Sequence, residues 1–142
     1  MNKLKQRTVL FFTLRMDAII SFEETKELLE NSLGCVFLEG ELHGASIWKA
    51  ELLGMQVIFL AWRGLNGAKT FQLIGTVEEP GYVEKDGDSI VDTIKLNISQ
   101  AVIDLLEIRG AGKWRIPSLA ELKAEVEYAN EIEQDYNDPE DN

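Results

Sequence analysis

The chain holds few of the side chains that enzymes use for nucleophilic or metal chemistry. Its 142 residues include one histidine, His43, and one cysteine, Cys35. A zinc site needs several Cys, His or carboxylate ligands, and a nucleophilic Ser or Cys needs a base that a third group orients. The composition therefore argues against both. His43 lies in a loop sequence and is interpreted as a surface residue, whereas Cys35 begins an apolar run and is expected to be buried.

Two short segments resemble ligand-binding loops only in part. Asp86 and Asp88 are spaced like the first ligands of a calcium loop, but Val91 and Asn97 stand where that loop requires glycine and glutamate. The segment 64–70 resembles a phosphate-binding loop, but it has alanine in place of a required glycine and leads into a strand. We therefore predict tight turns in both places, and neither a metal nor a cofactor.

Carboxylates, by contrast, are abundant and unevenly distributed. The chain has 25 acidic and 14 basic residues, which gives a net charge of −11. Basic residues without any acid occupy 1–16, whereas acidic residues dominate 121–142. This charge argues against unaided binding to nucleic acid or an anionic membrane, and it favours a basic protein partner. Adjacent carboxylates could also perform acid–base chemistry, so a small carboxylate-dependent hydrolase remains an alternative.

Two acidic regions are predicted to contact such a partner. The first is a polar loop, and its candidate residues are Glu78, Glu79, Tyr82, Glu84, Asp86 and Asp88. A tyrosine among carboxylates is typical of an interface, because the ring is buried on binding while the charges orient the partner. The second region is the last helix, with Glu121 and Glu125 as candidates. These two like charges are four residues apart and destabilise an isolated helix.

The last helix must therefore gain its stability from packing. We expect it to bury an apolar face formed by Leu122, Val126 and Ile132, and to turn its glutamates toward solvent. Its start is marked by a capping box, Ser118 with Glu121.

The rest of the pattern predicts one α+β domain. A capping box of Ser21 with Glu24 begins a helix over 22–33. Strands are then expected at 36–39, 46–52, 56–62 and 70–77, and a further helix at 99–109. Residues 90–98 fit a strand or a helix. The predicted fold is an antiparallel sheet of four or more strands, arranged as a meander and packed with about three helices.

The chain ends and the compartment are also predicted from composition. Residues 16–134 form the domain, 1–15 are an N-terminal extension or an edge strand, and 135–142 form an acidic flexible tail. No stretch approaches the roughly 18 apolar residues that cross a bilayer. The apolar run 9–14 is too short for a signal peptide, so the protein is predicted to be cytoplasmic.

Three segments carry a family resemblance: Ala50–Met55, Leu105-Leu106 and Trp114–Ser118. Over about residues 20–130, the chain resembles immunity proteins of bacterial polymorphic toxin and contact-dependent growth inhibition systems. This resemblance implies a non-enzymatic inhibitor that binds one cognate toxin domain, often a basic nuclease. The competing class is a secretion chaperone, which would hold an extended effector segment in a hydrophobic groove. The oligomeric state is left open.

Overall fold

The computed structural model describes residues 5–42, 45–77 and 91–137. Within these ranges the chain forms a single α+β domain with a six-stranded sheet and three α-helices. The strands are β1 (Lys5–Asp17), β2 (Leu38–Leu42), β3 (Ala45–Leu52), β4 (Met55–Arg63), β5 (Lys69–Thr76) and β6 (Val91–Asn97). The helices are α1 (Phe22–Leu33), α2 (Ser99–Ile108) and α3 (Leu119–Asn137), and a single 3-10 turn, Leu65–Gly67, joins β4 to β5.

The sheet confirms the predicted fold class and corrects its topology. The strand order is β2-β3-β4-β5-β1-β6, and β2 to β5 form the expected antiparallel meander. β1 then pairs antiparallel with β5, but β6 runs parallel to β1. The sheet is therefore mixed and not a pure meander. The alternation of apolar residues reports which face of a strand is buried, and it carries no information on the direction of the neighbouring strand.

The N-terminal segment is an integral part of this sheet. Residues 1–15 are predicted to form an extension or an edge strand, yet β1, which begins at Lys5, lies between β5 and β6. Phe12 and Leu14 are fully buried on it. The edge-strand prediction is therefore wrong: β1 is an interior strand because partners occupy both of its hydrogen-bonding edges.

Of the ambiguous stretch 90–98, residues 91–97 form a strand, and a helix follows at Ser99. β6 ends at Asn97, whose side-chain oxygen accepts a hydrogen bond from the Ser99 backbone N–H at 2.9 Å. The Ser99 hydroxyl in turn accepts from the Thr13 N–H at 3.1 Å. These two bonds attach the start of α2 to β1.

One face of the sheet holds the main core beneath α1 and α2. Phe59 of β4 lies at its centre, where its ring stacks on Phe22 at 4.4 Å and meets Phe71 edge-on at 5.6 Å. Leu29 of α1 and Leu106 of α2 are fully buried against the same cluster. The predicted start of α1 is confirmed, since the Glu24 N–H donates to the Ser21 hydroxyl at 3.1 Å.

The opposite face of the sheet is covered in part by α3. Side chains alternate along a strand, so Arg15 of β1 points away from the core that Leu14 and Met16 enter. Its cross-strand neighbour on β5 is Gln72, and both side chains are buried. This polar patch is the floor on which α3 lies.

Candidate partner-binding surface

The face that α3 turns toward the sheet is polar. Glu121 and Glu125 are only 8% and 6% exposed, and Tyr128 one turn later is half-buried. The sequence predicts that these glutamates face solvent and that the apolar residues of the helix pack. The structure reverses this orientation, because Arg15 of β1 and Arg115, which forms an isolated bridge with it, lie where the helix docks.

The first arginine forms a buried ion pair with Glu125. The Arg15 Nε donates to Glu125 Oε2 at 2.6 Å, and Nη2 donates to Oε1 at 2.8 Å. The remaining Nη1 donates to the Thr13 hydroxyl and to the Leu14 carbonyl, both at 2.9 Å. This bidentate arrangement matches the planar guanidinium to the carboxylate, and it fixes the rotation of α3 about its own axis.

The second arginine holds the start of α3. Arg115 Nη2 donates to Glu121 Oε2 at 2.5 Å, and its Nη1 lies 3.0 Å from the Asp17 carboxylate. The backbones of Arg115 and Arg15 also exchange two hydrogen bonds of 2.8 Å. The predicted capping box is confirmed, since Ser118 N–H donates to Glu121 and the Glu121 N–H donates to the Ser118 hydroxyl, each at 3.1 Å.

Aromatic contacts hold the middle of α3. The Trp62 ring meets Tyr128 edge-on at 5.1 Å, and its Nε1–H donates to the Glu125 carbonyl at 3.4 Å. The Arg63 guanidinium lies 5.3 Å above the Tyr128 ring. The helix is therefore attached by ion pairs and ring contacts, and large aliphatic side chains contribute little to its inner face.

The apolar residues of α3 lie on its outer surface instead. Leu119 is 86% exposed, Val126 is 59% exposed and Leu122 is 37% exposed. We call these three residues the outer row. The predicted burial of Leu122, Val126 and Ile132 is thus wrong, since Ile132 is exposed as well. The spacing of these apolar residues predicted a helix, but it did not predict which side of the helix packs against the sheet.

A second acidic surface is formed by α1 and the edge strand β2. Glu23 lies 3.9 Å from Lys26, whose ammonium sits 4.1 Å above the Trp48 ring. Trp48 pairs directly with Glu39 across the β3–β2 ladder, so the two side chains share a face of the sheet. Glu27 and Glu39 are exposed around this half-buried tryptophan.

The predicted site residues fall into two groups. Glu121 and Glu125 are brought together beneath α3, where each carboxylate is bound by an arginine of the same chain. Their contact with a partner stays a prediction. The loop candidates lie outside the described residues, and they are Glu78, Glu79, Tyr82, Glu84, Asp86 and Asp88. The sequence contains a signal for an unusual arginine, since Arg15 interrupts an apolar run, but it contains no signal for the glutamate that pairs with it.

An open cleft of about 300 Å³ lies beside the start of α3. Its lining residues are Asp17, Leu65, Ala68, Thr70, Arg115, Ser118 and Glu121. The Arg115 hydrogen bond holds the pKa of Glu121 below its ordinary value, although burial opposes this shift. The same hydrogen bond raises the pKa of Arg115. A general acid at neutral pH requires a carboxyl whose pKa is raised, so Glu121 is unsuited to that role.

The lowered pKa of Glu121 predicts how stability depends on pH. Because the carboxyl binds its proton less readily in the folded chain, it stabilises the fold. This contribution to the free energy of unfolding is complete above the pKa of the unfolded chain, about 4.3. That contribution is lost as the pH falls through the lower folded pKa. We expect the free energy of unfolding of the natural protein and of Glu121→Gln to converge between about pH 5 and pH 3 in urea titrations. The free energy of unfolding of Glu127→Gln, an exposed control, should vary with pH as that of the natural protein does. If the free energies of Glu121→Gln and the natural protein differ by the same amount at every pH, ionised Glu121 does not stabilise the fold in this way.

Cys35 is buried, as predicted. Burial raises the pKa of its thiol, and the nearby Glu30 charge adds to the shift. The thiol is therefore protonated at neutral pH and is a poor nucleophile. In the part of the chain that the structure describes, no group of three or more His, Cys, Asp or Glu side chains is placed to hold a metal ion. No helix among these residues is long and apolar enough to span a membrane.

Comparison with protein-family models, with curated proteins and with solved structures gave no match to this chain. The resemblance to immunity proteins therefore stays a prediction.

Proposed function

We propose that this protein is a non-enzymatic binding protein of the immunity type, which neutralises a basic toxin domain by direct contact. The observation that carries the proposal is that two carboxylates are paired within the chain while many others are exposed. Arg15 pairs with Glu125 and Arg115 pairs with Glu121 at the base of α3. On the helices and the edge strand β2, the exposed acids of the described residues are Glu23, Glu24, Glu27, Glu39, Glu41, Asp104, Glu107, Glu127 and Glu131.

This distribution favours association with a positively charged protein. A net charge of −11 produces a negative potential that accelerates the encounter with a basic partner and repels acidic ones. Paired carboxylates beneath α3 contribute little to that field at a distance, because each is neutralised by an arginine next to it. The exposed acids therefore account for most of the attraction.

The secretion-chaperone alternative is favoured by one observation, the exposed apolar residues of α3. Such a chaperone would hold an extended segment in a groove. The outer row instead lies on the convex surface of a single helix, which is suited to entering a groove on a folded partner. We therefore place the chaperone second.

Coexpression with a toxin domain tests the proposed function. The probe is the C-terminal domain of a large secreted protein encoded beside this gene, expressed from an inducible promoter in a bacterial host. We expect coexpression to restore growth, and the two purified proteins to form a stable complex. Absence of both a complex and growth protection would contradict the proposal. If the complex forms only with an unfolded segment of the secreted protein, the chaperone is favoured.

A further inference from the structure

We propose that α3 is the docking helix of this protein. The outer row, Leu119, Leu122 and Val126, inserts into an apolar groove on a folded partner whose rim is basic. This inference rests on the proposed function, because it assigns the surface through which the same partner is bound.

The spacing of the outer row is that of a helix-in-groove anchor. Its members stand at positions i, i+3 and i+7, which align along one side of an α-helix. Leu119 and Val126 are among the more exposed large apolar residues of the described chain, at 86% and 59%. Ile116, just before the helix, is exposed as well.

The fold holds this row outward by specific bonds. A helix with three apolar residues along one side would ordinarily bury that side against the sheet. Here such a rotation would break both bonds between Arg15 and Glu125 and leave two charges buried without partners. Breaking a buried pair is far more costly than exposing an aliphatic side chain, so α3 is fixed with its apolar row in solvent.

Charge determines the kind of partner. Lys123, the one exposed cation of the described part of α3, lies between Leu119 and Val126, whereas Glu127 and Glu131 are exposed farther round the helix. Two exposed glutamates against one lysine on this helix, and a net charge of −11 for the chain, favour a groove bordered by Lys or Arg. A second copy of the chain fits poorly, because it brings another net charge of −11.

The experiment uses two variants of the full chain and one photo-crosslinking position. Leu119→Ser/Val126→Ser removes the most exposed anchors, and Leu53→Ser/Ile108→Ser removes two exposed apolar side chains from other elements as a matched control. Both are surface changes, and their stability should stay close to that of the natural protein. A photoreactive phenylalanine at position 126 reports which protein touches the row, with position 108 as its control.

In calorimetric titrations with the toxin-domain probe, we expect the first variant to bind about tenfold or more weakly. The Leu53→Ser/Ile108→Ser variant should change affinity by about threefold or less. Crosslinking at position 126 in the producing cells should yield a basic protein that the purified chain also binds. If the natural protein binds the probe and Leu119→Ser/Val126→Ser binds equally well, the docking helix is contradicted while the proposed function stands. Crosslinking only to a second copy, with a dimer in analytical ultracentrifugation, also overturns it. If the natural protein binds no basic partner, both proposals fail.

Discussion

Replacement of Arg15 by methionine is expected to lower the free energy of unfolding by about 3–5 kcal/mol. The substitution preserves much of the apolar stem but leaves the Glu125 carboxylate buried without its two hydrogen bonds. An unpaired buried charge costs this much, whereas the intact pair itself contributes little net stability. Urea denaturation at neutral pH measures the change.

Two further variants distinguish the effect of losing the ion pair from the effect of changing the side-chain volume. The double variant Arg15→Met/Glu125→Met removes both charges, so we expect it to recover most of the loss. Arg115→Met is a comparison variant, and we expect it to cost less than Arg15→Met, because the Arg115 guanidinium is partly exposed and Glu121 keeps its hydrogen bond from the Ser118 N–H. Equal losses for Arg15→Met and the double variant would show that packing, and not charge pairing, dominates at this position.

Replacement of Gly75 by alanine is expected to lower the free energy of unfolding by about 1–3 kcal/mol. In a strand this change is usually favourable, because alanine loses less backbone entropy on folding. Here the added Cβ would lie 2.1 Å from the Phe12 ring, which is fully buried between strands and helices. The ring cannot move away without disturbing a close-packed core. Thermal and urea denaturation both report the loss.

Gly40→Ala provides the control for this prediction. Gly40 also lies in a strand, but a Cβ there would meet only the flexible Lys49 side chain, at 3.4 Å. We expect it to leave stability nearly unchanged. Phe12→Leu combined with Gly75→Ala should be less unstable than the sum of the two single variants, because the smaller side chain makes room for the methyl group. Strict additivity would contradict a direct clash.

Local signals in the sequence predicted much of the fold. Both capping boxes begin helices where Ser21 and Ser118 stand, and their side-chain bonds are present. The alternation in β3, the continuous apolar run in β4 and the short separation between them predicted the hairpin at the centre of the meander. These features depend on residues within a few positions of one another, so they can be read without knowledge of the rest of the chain.

The remaining features depend on contacts between distant residues. Glu125 lies 110 positions from Arg15, and nothing near either residue indicates the other. An observer of α3 alone finds a polar side and an apolar side and expects the apolar one to pack. Only the arginine on the interior strand β1 explains why the helix docks through its carboxylates. The parallel pairing of β6 with β1 is likewise set by chain connectivity.

The same arrangement links stability to recognition. The ion pairs that attach α3 also orient its outer row, Leu119, Leu122 and Val126, toward solvent. A variant that removes Arg15 should therefore weaken partner binding in addition to stability. A variant confined to the outer row should weaken partner binding alone.

The most direct test of the account is the association rate of the purified protein with the basic toxin-domain probe, measured by stopped flow at about 50 mM and about 500 mM NaCl. Attraction between the exposed carboxylates and a basic surface predicts that the rate constant falls by about tenfold or more at the higher salt concentration. A rate constant that is the same at both salt concentrations would contradict electrostatic recognition of a basic partner.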